Sequence, residues 1–243
     1  MNNGKGVHIA KQFVLGKIER QNQVLRKYGL RQHDFTVVEK VDYLKADDLS
    51  KLRARLMAYE GHCSDRYFSQ IFRLIRESLR PECRKTFKAY DGVNNIFNLV
   101  YEILSWKAHY ALIKAKLEPC LGFLYSTAKG KPSLICDFQE LYSYLVDDFV
   151  IQYRRKLRKH NFTIKDENFS TRRKGKREYL NDSLTHSLVN SLNEYFKTKV
   201  EIQRIRMGKS QEIETLINEE ALLLAQYVRN ERQLWYPRTA GLT

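Results

Sequence analysis

Residues 93–115, VNNIFNLVYEILSWKAHYALIKA, decide the fold class. Val93, Phe97, Val100, Leu104, Ala108, Ala111 and Ala115 recur in steps of three and four. That spacing tracks the α-helical turn and keeps one face apolar from end to end. It predicts a long buried helix, closed by Pro119. The same period returns on both sides. Residues 6–29 read as an amphipathic helix carrying Ile9, Phe13, Leu15, Ile18 and Leu25, with Gly29 as its stop. Residues 30–45 form a connector. Asp48 and Ser50 can start a helix with Leu52, Leu56 and Met57. Glu60-Gly61 marks a joint, and Tyr67, Phe68, Ile71, Phe72 and Ile75 continue at helical spacing until Pro81. Residues 82–92 form a basic loop.

Beyond Pro119, Leu121 to Tyr125 is a short apolar run and Lys129-Gly130-Lys131-Pro132 a turn. Residues 133–158 read as one helix with Leu134, Phe138, Leu141, Leu145 and Val150 on its apolar side. Asp182 can cap a helix over residues 183–198. The last helix shows Ile213, Ile217, Ala221, Leu224 and Val228, and the tail after Trp235 reads as irregular. Strand signals are weak and no internal repeat is present. The expected fold is therefore all-α, a multi-helix domain with little or no sheet. It spans residues 1–243 as one unit, with a basic mobile loop around residues 160–178.

Charge narrows the function. The chain has 43 lysines and arginines against 28 acids, a net charge of +15. Such a field attracts polyanions, nucleic acid before anionic membrane. Three tracts concentrate it: Arg80, Arg84, Lys85 and Lys88; Arg154, Arg155, Lys156, Arg158 and Lys159; and Arg172, Arg173, Lys174, Lys176 and Arg177. Phe87, Tyr90, Phe162, Phe169 and Tyr179 are interleaved with them. Cations neutralise phosphates and aromatic rings stack on exposed bases, although a solvated charge run has the same composition.

Other classes fall away. Cys63, Cys83, Cys120 and Cys136 form no C-x-x-C pair, which disfavours a zinc ribbon, and suggest no disulfide framework, which fits a cytoplasmic protein. No signal peptide opens the chain, and no apolar run is long enough to span a membrane. A phosphate-binding Gly-rich loop is missing, and the six histidines are scattered.

Carboxylates remain as the chemistry-bearing groups. Asp137 and Glu140, in CDFQEL, are three residues apart and share a helix face. Hard cations such as Mg²⁺ and Mn²⁺ take oxygen ligands, often one or two carboxylates. Asp137 stands among Cys136, Phe138, Leu134, Ile135 and Leu141, where a carboxylate is costly unless paired or metal-bound. An ordinary acid pair near a helix start satisfies the same spacing. Glu60, before Gly61, is a weaker third candidate.

Several blocks, in order, resemble the CRISPR-associated spacer integrase family, the first-numbered Cas protein. IAKQFVLGKIERQNQVL resembles its helix with a K-I-x-x-Q core, here Lys17, Ile18 and Gln21. AYEGHCSDRYF resembles its E-G-x-x-x-x-x-Y-F motif, with Glu60, Gly61, Tyr67 and Phe68. DGVNNIFNLVYEIL, LEPCLGFLY and SLICDFQELYSYLVDDFV resemble three further blocks, the first through Asp91, Val93, Asn94 and Tyr101. The resemblance implies an all-helical catalytic domain and a Mg²⁺ or Mn²⁺ site made from Glu60 and Asp137, with Glu140 nearby. Tyr125 stands where the family has histidine. A phenol titrates near pH 10 and is a poor ligand, so Tyr125 is expected to hydrogen-bond a metal-bound water or a phosphate.

The resemblance further implies a short form without the family's N-terminal β-domain. The implied reaction inserts short DNA into a CRISPR repeat by transesterification with a 3′-hydroxyl, in adaptive antiviral defence. Water as the attacker would give endonuclease activity at the same site. Glu60, Asp137 and Tyr125 are the expected catalytic residues, with Asn94 orienting the site. Arg66, Arg84, Lys85, Asn94, Arg154, Arg155, Arg158, Arg172, Arg173 and Lys174 are the expected DNA contacts. The implied partners are double-stranded or branched DNA, further copies of the chain and a small adaptation protein, with no membrane. The alternative is a DNA-binding assembly subunit whose metal site has weakened, signalled by Tyr125.

Overall fold

The computed structural model describes residues 3–34, 36, 40–41, 49–125, 132–170, 173–202, 210–238 and 240–242. Helix α1 (Asn3–Lys27) buries Ile9, Phe13, Val14, Ile18, Val24 and Leu25 completely. It stops as expected at Gly29, whose φ of 65° lets the Leu30 N–H return to the Leu25 carbonyl at 2.8 Å. Helix α2 (Leu49–Ile71) packs along α1. It passes through Glu60-Gly61 without a break, so the expected joint is a continuous helix. It ends ten residues short of Pro81, in 3₁₀ turns at Phe72–Leu74 and Glu77–Leu79. The expected cap at Asp48 and the turn at residues 129–131 lie outside the described residues.

Helix α3 (Gly92–Lys114) is the predicted central rod, with Val93, Phe97, Val100, Leu104, Ala108 and Ala111 buried. Asp91 caps it by accepting from the Asn94 N–H at 2.7 Å. It ends before Pro119, and two residues on Lys116, with φ of 58°, lets the Leu117 N–H reach the Leu112 carbonyl. The helix expected over 133–158 is two helices, α4 (Ser133–Gln139) and α5 (Ser143–Tyr153). Tight turns between them join Leu141 N–H to the Phe138 carbonyl and Tyr142 N–H to that of Gln139. From Ser143 to Ile151 every residue of α5 is buried. A helix covered all round has no stripe to betray its ends.

The expected mobile loop around 160–178 is instead an antiparallel hairpin, β1 (Phe162–Ser170) with β2 (Arg173–Leu180). It escaped the sequence because a two-stranded ribbon exposes both faces, so charge replaces apolar alternation. Its base docks on the start of α3. There a Cβ on Gly92 would lie 2.1 Å from the Phe162 ring, and the Glu178 carboxylate accepts the Gly92 N–H at 3.1 Å. Helix α6 (Asp182–Phe196) is capped by Asn181 rather than Asp182, through the Leu184 N–H at 3.0 Å. A short pair, β3 (Lys199–Glu201) and β4 (Ser210–Glu212), precedes α7 (Ile213–Val228), which packs on α3.

Among the described residues two small antiparallel strand pairs thus join an otherwise helical fold around one continuous apolar cluster. The tail is ordered by polar anchors. Trp235 and Arg238 both donate to the buried Glu220 carboxylate, and the Tyr144 hydroxyl donates to the Ala240 carbonyl at 3.0 Å. No helix among the described residues is long and apolar enough to cross a membrane.

Candidate active site

The buried stripe of α1 is interrupted by polar residues. Lys17, Arg20 and Gln21 are all buried. Lys17 points between two acids, pairing with a Glu60 oxygen from α2 and with Glu140 Oε2, at 2.8 Å, from the turn after α4. The Ser64 hydroxyl donates to the same Glu60 oxygen at 2.8 Å and accepts from Gln21 Nε2 at 3.2 Å. His33 closes this row against Gln21 Oε1 at 3.1 Å. Burial and the nearby Arg66 lower the His33 imidazole to about 4, so it is neutral at pH 7.

Burial alone would discharge Lys17, but Glu140 and Glu60 outweigh it and hold the ammonium well above the usual lysine range. Burial opposes the Glu60 charge too. Lys17 and the hydrogen bond from Ser64 win, and its carboxyl sits below the ordinary value. The centre is thus two carboxylates sharing one cation. Tyr125 borders it, its hydroxyl 3.4 Å from Glu140 Oε1. Burial, reinforced by Glu140, raises the phenol far above its ordinary value, so it stays protonated.

Asp137 does not join this pair. It is completely buried, and its oxygens accept three consecutive backbone N–H groups: Phe123 at 2.5 Å, Leu124 at 2.9 Å and Tyr125 at 2.9 Å. Burial raises its carboxyl to about 6 against the pull of those amides. Arg53 holds the same strip from the other side, through the Gly122 and Phe123 carbonyls. Asp137 therefore clasps the loop that presents Tyr125, and it is Glu140 that meets Glu60 across Lys17. Two of the three expected carboxylates converge. Among the described residues no three His, Cys, Asp or Glu side chains cluster as a metal site.

A further buried acid, Asp147, is one that the sequence did not single out. Asp147 accepts from Tyr67 at 3.0 Å and Tyr101 at 2.9 Å. Burial raises it to about 7, against both hydrogen bonds. The signal was two aspartates, Asp147 and Asp148, inside an apolar run. Lys17 was visible only within the K-I-x-x-Q block, although a lysine on the apolar face of α1 is itself a flag.

The expected DNA contacts divide. Arg66, Lys85 and Arg155 are exposed, and Arg158 is half-buried. Asn94 faces inward instead. It is fully buried, donates to the Cys83 carbonyl and the Asp91 carboxylate, and accepts the Lys85 N–H. Its amide holds the 83–91 loop against the start of α3. Arg84 also turns in, over the rings of Phe68, Phe97 and Tyr101 and onto Asn98. Arg154 donates to the Leu74 and Ile151 carbonyls. Arg173 and Lys174 begin β2, and Arg172 lies outside the described residues.

The profile of the family described as "CRISPR associated protein Cas1" matches residues 1–183. The chain belongs to the Cas1 family. It is 28% identical over 169 residues to the CRISPR-associated endonuclease Cas1 1 of Archaeoglobus fulgidus, covering 60% of this chain and 49% of that one. It is 25% identical over 244 residues to Cas1 1 of Chlorobaculum tepidum, covering 94% and 68%. Against several of its curated Cas1 relatives the match spans about half of their length. Among solved structures, a Cas1 protein from Thermotoga maritima aligns with TM-score 0.76 at 20% identity, over 96% of this chain and 71% of that one. A casposase bound to integration product aligns with TM-score 0.79 at 20% identity, over 96% and 63%. At such identity these two structures establish the shared Cas1 fold.

Proposed function

We propose that this Cas1-family chain is a divalent-metal-dependent DNA integrase, in which the 3′-hydroxyl of a short DNA attacks a phosphodiester of a CRISPR repeat, forms a new P–O bond and expels the repeat strand's own 3′-oxygen as a hydroxyl. The observation that carries the reading is the convergence of Glu60 and Glu140, from separate elements, on one buried cation, Lys17. Mg²⁺ fits such a donor set, since it commonly takes one or two carboxylates and completes its shell with water and substrate phosphate. Glu60 and Glu140 would hold Mg²⁺ or Mn²⁺. Once bound, the ion supplies charge stabilisation at phosphoryl oxygens and lowers the pKa of the attacking hydroxyl.

The chain's own residues do the rest. Asp137 fixes the 122–125 loop, so the protonated Tyr125 hydroxyl stays beside Glu140 and can donate to a phosphate oxygen. Lys17, released from the carboxylates, remains a cation close to the reacting phosphate. Arg66, Lys85, Arg155 and Arg158 supply phosphate contacts from the surface. Two-ended insertion calls for more than one active site, hence for several copies of the chain and, by analogy with the Cas6-RT-Cas1–Cas2 complex it resembles in fold, a small partner protein. Tyr125 at the family's histidine position favours the second reading, a weakened assembly subunit.

The test is transfer of a labelled duplex with 3′-hydroxyls into a supercoiled repeat plasmid with Mn²⁺. Wild type transfers label, and Glu60→Gln and Glu140→Gln bind DNA without transfer. Label transfer by Glu140→Gln would remove the metal assignment. No transfer by wild type, with gain in Tyr125→His, would establish the weakened subunit.

A further inference from the structure

A second concave site lies away from the carboxylate pair. A cavity of about 660 Å³ opens between the end of α1, α5, the 3₁₀ turn at Arg154–Lys156, the end of α6, β3 and the chain's last described residues. Lys27 lies ten residues along α1 from Lys17, roughly 15 Å of helical rise. The volume is in the range of sites that enclose a small organic ligand.

The walls combine two chemistries. Lys27, Arg154, Arg155 and Lys199 bring four cations against one acid, Asp148. That acid is already satisfied, by the Tyr28 hydroxyl at 2.7 Å, Gln152 at 2.7 Å and Lys27 at 3.1 Å. Among the described residues the exposed Arg155 and Lys199 form no ion pair. The other component is aromatic: Tyr28 and Tyr195 line the cavity, with Leu145, Val200 and Leu242 beside them. Tyr195 is braced against Phe149, ring centroids 5.6 Å apart. The Gly241 N–H donates to the Glu201 carbonyl, and Ile202 bridges Ala240, so the tail forms a wall tied to β3.

A surplus of positive charge beside two rings in one concave site matches a phosphate joined to a flat ring. We propose that this cavity binds a nucleotide unit, its phosphate held by Arg155 and Lys199 and its base against Tyr195. The phosphate belongs either to a free nucleotide or to an unpaired end of DNA. In the second case the inference deepens the integrase reading, and the experiment separates the two.

Titration calorimetry on the full chain at low salt uses deoxyadenosine monophosphate, deoxyadenosine and a short single-stranded oligonucleotide as probes. One monophosphate binds per chain, and deoxyadenosine, lacking the phosphate, does not. Arg155→Ala and Lys199→Ala each weaken binding about tenfold, as loss of a charge-assisted bond requires. Thr198→Trp, which fills the mouth without removing a charge, abolishes it. The same pattern with the oligonucleotide alone assigns the site to DNA. Binding of neither probe, or binding that all three variants leave unchanged, overturns the proposal. The series is repeated in Glu60→Gln. Binding kept there, with DNA joining lost, shows that cavity and carboxylate site stand or fall separately.

Discussion

Asp137 and Glu140 lie three residues apart, both are buried, and they live opposite lives. Three backbone amides hold Asp137, and they cannot leave without unravelling the loop. Glu140 is held by the ammonium of Lys17, which can withdraw along its own stem. A buried acid is open to a ligand when its partner is exchangeable, and closed when its partner is the main chain.

The largest effect expected from this contrast is on Asp137. Asp137→Ala orphans three N–H groups and costs about 3 kcal/mol or more, read from denaturant unfolding. Mn²⁺ does not restore it. Next is Lys17→Met, which leaves two buried acids without their cation and costs about 3 kcal/mol without metal. Here Mn²⁺ does restore the melting temperature, because it replaces the missing charge. Rescue of both variants, or of neither, would erase the distinction between the acids. Gly92→Ala, which forces a methyl group into the Phe162 ring, costs about 2 kcal/mol and loosens the hairpin, measured by amide exchange along β1.

A smaller effect appears with pH. In the fold Asp147 titrates near 7 and Asp137 near 6, both above the unfolded carboxyl. Between the unfolded and folded values the native state binds the extra protons, so these groups favour folding at low pH, and their contribution fades as pH rises through 6 and 7. Asp147→Asn flattens that decline, seen as a shallower fall of melting temperature from pH 5 to 8. An unchanged slope would remove Asp147 from the account. Smallest is Asp91→Ala, which takes the cap from α3 at a cost of about 1 kcal/mol.

Much of the fold was legible because most helices bury one face only. The stripes of α1, α3 and α7 and the stop at Gly29 could be read from spacing. Helix α5 could not be bounded, because it is buried on all sides, and the β1–β2 hairpin could not be seen, because it is buried on almost none. At the site, Glu60 and Glu140 were reachable through spacing and resemblance. Asp137 shows why spacing alone does not separate roles, since a clasp around backbone amides has the same sequence signature as a ligand: a lone carboxylate in apolar company. Asn94 and Arg84 are the same kind of case, polar residues beside a basic tract that also bond within their own loop and helix.

Helix α1 carries Lys17 near its middle and Lys27 at its C-terminal end, one residue before Tyr28, so the carboxylate pair and the far cavity share a lever. Thermodynamic reciprocity then sets a rule for the pair. If expelling Lys17 shifts the rod, occupancy of the far cavity changes the affinity of the carboxylates for their cation. The cation changes occupancy of the cavity by the same factor.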